Sequence, residues 1–152
     1  SMNEFISFDK EIETLQLYME LEKLRFNDKF DFEIDSQLTD PTFKVPPMLI
    51  QPFVENAIIH GMKGKVNKGN ILVQFSELEN ELILCAIDDD GVGRNSIVNE
   101  KDHRSLATQL TDERINFFNQ KSNHRFDIKI LDKKDEAGNA IGTRVELLIP
   151  MV

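Results

Sequence analysis

The chain has 152 residues, 40% of them apolar, and a formal net charge of −9. That is enough apolar material for one domain with its own core and too much for a disordered chain. The acidic balance excludes nucleic acid as the main partner, since phosphate backbones demand a basic face, and no run of about 18 apolar residues offers a membrane-spanning helix.

In chain order, Ser1-Met2 reads as an expression scar ahead of a truncated chain. Ser7 is placed to cap a helix whose first turn carries Asp9 and Glu11, both favourable at the positive end of its dipole. Ile12, Leu15 and Met19 form one apolar row of this helix and Leu17, Leu21 and Leu24 a second beside it, so it is expected to pack along most of its length. It is either ordinary core or a linker helix arriving from an upstream helical region. Residues 29–35 alternate Phe30, Phe32 and Ile34 against charged neighbours and predict a half-buried strand, which Asp40-Pro41 breaks. A helix is predicted to begin near Pro47 and to be kinked or restarted at Pro52. Residues 63–69, with Lys63, Lys65 and Lys68, form a loop.

Residues 71–75 and 82–87 predict two strands joined by an acidic turn, and the single cysteine, Cys85, lies within the second as a small core residue. One cysteine allows no internal disulfide, which suits a reducing cytosol. Residues 92–103 lack periodicity and read as a mobile loop. Ser105 then opens a helix carrying Leu106, Leu110, Ile115 and Phe118. Phe126, Ile128 and Ile130 alternate as a fourth strand, residues 132–139 turn, and Val145, Leu147 and Ile149 close the sheet. About three helices and about five strands, with the helices on one face, make a two-layer α/β sandwich.

Two stretches carry the candidate chemistry. Residues 52–61 place Phe53, Ala57 and Ile58 on an apolar side, while Asn56 and His60, four apart, share another and can reach one pocket. Asn56 offers the neutral hard oxygen that Mg²⁺ accepts beside phosphates and water. Glu55 either orients a magnesium-bound water or acts as a general base, or is simply solvated. His60 either contacts adenine or phosphate or interacts with the helix dipole. Gly61 is expected to end the helix at positive φ. The second stretch, residues 87–94, contains Asp89-x-Gly91-x-Gly93 directly after a strand. The Asp89 carboxylate suits the exocyclic amine of adenine and would repel the oxygen that guanine presents there, and Gly91 and Gly93 let backbone approach the purine. Asp88 and Asp90 read as solvent-facing or structural. Arg94, Lys101, His103 and Arg104 could close over a triphosphate, Ser105 and the amides after it could hold phosphate at a helix start, and Thr143 could bond adenine.

This order of motifs resembles the GHKL superfamily of ATP-binding domains, and within it the LytS/YehU-like sensor histidine kinases. The likeness covers nearly the whole chain. Residues 51–61 resemble the asparagine box of that group, Asp89, Gly91 and Gly93 its first glycine box, residues 112–115 the helix after its lid, and residues 142–145 with Ile149-Pro150 its closing strand. The second glycine box departs from the pattern, with Ser105-Leu106-Ala107-Thr108 where two glycines are usual. The phospho-acceptor motif is absent, since His60, His103 and His124 lie in other contexts, and it is expected upstream.

The resemblance implies a Bergerat-type α/β sandwich, with residues 1–28 a linker helix and residues 29–152 an ATP-binding catalytic domain. It implies ATP and Mg²⁺ as ligands, held by Asn56, His60, Gly61, Asp89, Gly91, Gly93, Arg94, Arg104, Ser105, Leu106 and Thr143, with Asn56 on the metal and Glu55 catalytic. The γ-phosphoryl would pass to a histidine on an upstream helix and then to a response regulator. The whole protein would be a homodimer anchored in a membrane through its N-terminal region, this domain facing the cytoplasm. An ATPase or serine kinase of the same superfamily, or a non-catalytic docking module, are the alternatives.

Overall fold

The computed structural model describes residues 5–93 and 126–151. A short strand β1 (Ile6–Ser7) leads into helix α1 (Phe8–Arg25), followed by β2 (Phe30–Ser36) and β3 (Lys44–Val45). Helix α2 (Gln51–Asn56) runs directly into a π-helical turn (Ala57–Met62). Strands β4 (Gly69–Leu78), β5 (Leu82–Asp89), β6 (Asp127–Lys134) and β7 (Ala140–Pro150) complete the described elements. The expected helix after Ser105 lies outside them.

The main sheet has five strands in the order β2-β4-β5-β7-β6, parallel only between β2 and β4, and β1 pairs with β3 in a separate two-stranded ribbon. This mixed sheet with helices packed on it is the expected α/β sandwich. Because side chains alternate across a strand, Ile71, Val73 and Phe75 of β4, Ile83, Cys85 and Ile87 of β5, and Val145, Leu147 and Ile149 of β7 turn to one face. They are buried in a single core with Phe8, Leu15 and Met19 of α1 and Phe53, Val54 and Ile58 of the second helix. Burial pushes the Cys85 thiol well above its ordinary range, as a core cysteine requires.

Four local expectations are corrected. Residues 46–50 are not helical; α2 begins at Gln51, so Pro52 sits in its first turn, where its missing N–H costs nothing, and not at an interior kink. Gly61 does not end the helix at positive φ: it lies inside the π-helical turn, and the positive-φ glycines among the described residues are Gly93, Gly138 and Gly142. Ser7 holds the N-cap position of α1 without a side-chain bond to a helix amide. The second row of α1 is not buried among the described residues: Leu17, Leu21 and Leu24 are 57%, 66% and 75% exposed.

The two rows of α1 should therefore differ sharply in energy. Leu15→Ala removes a side chain from the core and is expected to cost roughly 2–5 kcal/mol, whereas Leu21→Ala should change stability by no more than about 0.5 kcal/mol. Urea unfolding of both variants checks this; comparable losses would contradict the one-sided packing.

Candidate nucleotide-binding site

Strand β5 ends with three aspartates in succession, and alternation sends them to different places. Asp88 faces away from the core and pairs with Lys133 and with Arg144, the latter at 3.2 Å. Asp90 accepts hydrogen bonds from the backbone N–H of Asn70 at 2.7 Å and from its side-chain amide at 3.0 Å. Only Asp89 continues the inner row of Ile83, Cys85 and Ile87. The register of β7 brings Thr143 opposite Asp89 and Val145 opposite Ile87.

These four side chains form the floor of a cleft. Its other wall is the second helix, through Phe53, Asn56, Ala57, His60 and Gly61, and Gly93 lies at its margin. The helix and the end of β5 meet backbone to backbone. The N–H of Val92 donates to the carbonyl of Gly61 at 3.1 Å. A methyl group at Gly91 would fall 2.4 Å from the Cα of Gly61, and one at Gly61 would fall 3.0 Å from Oδ1 of Asp89. Gly91 is therefore required by contact with backbone, and a side chain at Gly61 would press on the Asp89 carboxylate.

Asp89 is only 5% exposed. Its Oδ1 accepts from the N–H of Gly91 at 2.9 Å and from the N–H of Thr143 at 3.3 Å, while Oδ2 accepts from none of the described residues. Burial pushes its carboxyl from an ordinary 3.8 up to about 6, against the opposing pull of those two N–H groups. Asn56 is equally buried and its side-chain amide bonds no described residue. A buried amide without a partner costs about 1–3 kcal/mol, and such groups in native structures call for an explanation. The partner of Asn56 is therefore either a residue outside those described or a ligand in the cleft. His60 is half-buried, and burial draws its pKa below the usual 6.5, which favours the neutral imidazole at neutral pH.

Of the residues singled out in the sequence, Asn56, His60, Gly61, Asp89, Gly93 and Thr143 line the cleft together, and Gly91 closes its edge. Glu55 does not join them. It is exposed, one helical step of about 100° from Asn56, and points away from the cleft. Arg94, Lys101, His103, Arg104, Ser105 and Leu106 lie outside the described residues. The apolar walls were not anticipated as part of a site, although periodicity contained them: Ile87 and Val145 lie two residues from Asp89 and Thr143 on the same face, and Phe53 lies three before Asn56. Among the described residues no cluster of three His, Cys, Asp or Glu could hold a metal by itself. A cation here would need ligand oxygens, such as phosphate, beyond the amide of Asn56.

No protein-family profile matches the chain. It is 30% identical over 117 residues to the sensor protein LytS of Staphylococcus saprophyticus, which covers 71% of this chain and 20% of that one. It is 32% identical over 119 residues to the sensor histidine kinase YpdA of Escherichia coli, covering 77% and 20%. The chain thus spans about a fifth of the length of these curated relatives. Among solved structures, a mycobacterial sensor histidine kinase, MprB, superposes with a TM-score of 0.64 at 14% identity over 97% of this chain and 96% of that one. The catalytic domain of the histidine kinase ThkA gives 0.63 at 11% identity, with 97% of each chain covered. The chain is a homologue of the LytS- and YpdA-type sensor histidine kinases and has the α/β-sandwich fold of histidine-kinase catalytic domains, consistent with a GHKL domain.

Proposed function

We propose that the chain binds Mg-ATP in this cleft and serves as the nucleotide-binding catalytic part of a sensor histidine kinase. The observation that carries this reading is Asp89, a buried carboxylate in an apolar slot with one oxygen held by two backbone N–H groups and the other without a donor among the described residues. The exocyclic amine of adenine is such a donor. Thr143 and Gly91 flank the base, Phe53, Ile87 and Val145 give it an apolar bed, and Asn56 and His60 lie toward the phosphates. Magnesium would supply charge neutralisation for the phosphates, and Asn56 is the residue placed to offer it an oxygen.

In this reading the γ-phosphoryl passes to an imidazole nitrogen of a histidine on another helix, ADP leaves, and a response-regulator aspartate receives the phosphoryl next. The protein's share is positioning and electrostatic, with little covalent chemistry. Residues 1–28 serve as the linker from that helix. The complete protein is a homodimer held at a membrane with this domain in the cytoplasm. No helix among the described residues is long and apolar enough to cross a membrane. Glu55, exposed as it is, could act as a base only on a substrate approaching from outside the cleft.

Asp89→Asn tests the base contact. A hydrogen bond to a charged group contributes roughly 1.5–3 kcal/mol, so ATP and ADP should both weaken by about tenfold to a hundredfold. Selectivity over GTP should narrow, because the amide no longer repels the guanine oxygen. Calorimetric titration of the three nucleotides reads this out, and unchanged affinities in a folded variant would remove Asp89 from the site.

The raised carboxyl of Asp89 also sets a pH dependence. A group whose pKa is higher folded than unfolded contributes stability that is complete below the unfolded value, 3.8, and is lost as pH rises through the folded value of about 6. An amine donor favours the ionised form, so nucleotide affinity should move oppositely and rise through pH 6. Affinity for ATP at pH 5 is expected to be about tenfold below that at pH 7, relative to the same ratio in Asp89→Asn, where titration of the phosphates is common to both. A flat ratio between the two proteins would contradict this.

Asn56→Ala should abolish most of the gain in ATP affinity that Mg²⁺ gives, while leaving the fold intact, because it removes the buried amide without opening the core. Titrations with magnesium and with a chelator separate the two contributions; an undiminished magnesium effect would show that Asn56 is not the ligand.

A further inference from the structure

One buried acidic group takes no part in the nucleotide reading. Glu11 projects from α1 toward the core and is 4% exposed. Its Oε2 accepts from the N–H of Met48 at 3.2 Å, and its Oε1 accepts from the N–H of Leu49 at 2.9 Å and of Ile50 at 3.3 Å. These amides belong to a segment 37–39 residues away in sequence, immediately ahead of α2.

Leu49 and Ile50 anchor that segment in the core through their side chains, but its backbone has no local side-chain cap. Ile50 occupies the N-cap position of α2 and has no side-chain cap bond to give, and Met48 stands at φ +61. The opening amides of a helix need acceptors, which a Ser, Thr, Asp or Asn at the cap normally supplies. Here the N-cap amide of Ile50, together with the two amides before it, takes its acceptor from a different helix. Only six residues of α2 precede the π-helical turn, and so short a helix is not stable alone. Its direction is set by the burial of Phe53, Val54 and Ile58 in the core and by two further contacts: the Glu11 carboxylate ahead of its start, and the contact of Gly61 with Gly91 at its end. Asn56 lies between them, six residues or about 9 Å beyond Ile50 along the helix.

We infer that Glu11 is a positioning residue for the nucleotide site: by holding the three amides ahead of α2 it fixes where Asn56 stands across the cleft from Asp89, and it ties that position to α1. The inference rests on the nucleotide reading of the cleft. Its consequence is regulatory as well. A shift or rotation of α1, whose opposite row of leucines is exposed, would reach Asn56 through this carboxylate.

Glu11→Gln tests it. The replacement has nearly the same shape, but its NH₂ group faces an N–H where an oxygen is needed, so at least one of the three bonds becomes a donor–donor conflict. Loss of a supporting hydrogen-bond partner behind a ligand typically costs about tenfold or more in affinity. Mg-ATP affinity should fall by about that factor in Glu11→Gln, with less loss in Glu11→Asp, which keeps the charge. The discriminating measurement is the double variant: in an Asn56→Ala background, Glu11→Gln should cause little further loss of affinity, because its effect runs through Asn56. Equal fold-losses in both backgrounds would overturn the inference and leave Glu11 a merely structural residue. Hydrogen exchange without nucleotide provides a readout that does not depend on the nucleotide reading. Faster exchange in Glu11→Gln should be confined to residues 48–62, and a uniform increase across β4, β5 and β7 would likewise overturn it. If wild-type protein fails to bind Mg-ATP but the exchange change is confined to residues 48–62, the nucleotide reading falls and the tether stands.

Discussion

Between the π-helical turn and the end of β5 there is no room for a side chain. Gly91 lies against the backbone of Gly61, the N–H of Val92 reaches the carbonyl of Gly61, and Oδ1 of Asp89 occupies the space beside it. This seam holds helix and sheet at the separation that opens the cleft, and it brings the one inward aspartate under the helix that carries Asn56 and His60. A Cβ at Gly91 would push the layers apart by more than a side chain could absorb. Every polar group of the candidate site is referred to that contact.

The cleft then acquires its chemistry from burial. Asp89 stands at the end of a strand whose preceding inward residues are all apolar, so its carboxylate is cut off from water and its proton is held more tightly than usual. The neighbouring aspartates show the contrast. Asp88 meets two cations on the outer face of the sheet, and Asp90 ties down Asn70, so neither can serve a ligand in the cleft. A single residue step along β5 separates the buried carboxylate of the cleft from a structural ion pair.

Helix α1 joins this site to the rest of the molecule in an unusual way. Its inner row enters the core beside the sheet, with the Phe8 ring edge-on to Phe75 at 5.2 Å. The same inner face sends Glu11 to the amides that precede α2, while three leucines on the far side meet solvent. The helix is thus fixed on one side by apolar packing and by a carboxylate that reaches the site helix.

Much of the sheet and half of the site were legible in the sequence. Alternation identified β2, β6 and β7, apolar runs identified β4 and β5, and the Asp-x-Gly-x-Gly motif singled out Asp89 from Asp88 and Asp90. The spacing of Asn56 and His60 announced one shared helix face. Other features depend on partners far away in sequence, and no local pattern encodes them. Glu11 looked like a first-turn dipole residue, and only folding brought it to amides 37–39 residues on. Gly61 looked like a helix stop, and its reason is the backbone of Gly91. Leu17, Leu21 and Leu24 had the same spacing as a buried row, yet nothing among the described residues covers them. Local periodicity states which side of an element is apolar; which element lies against that side, and how closely, is decided only when the layers meet.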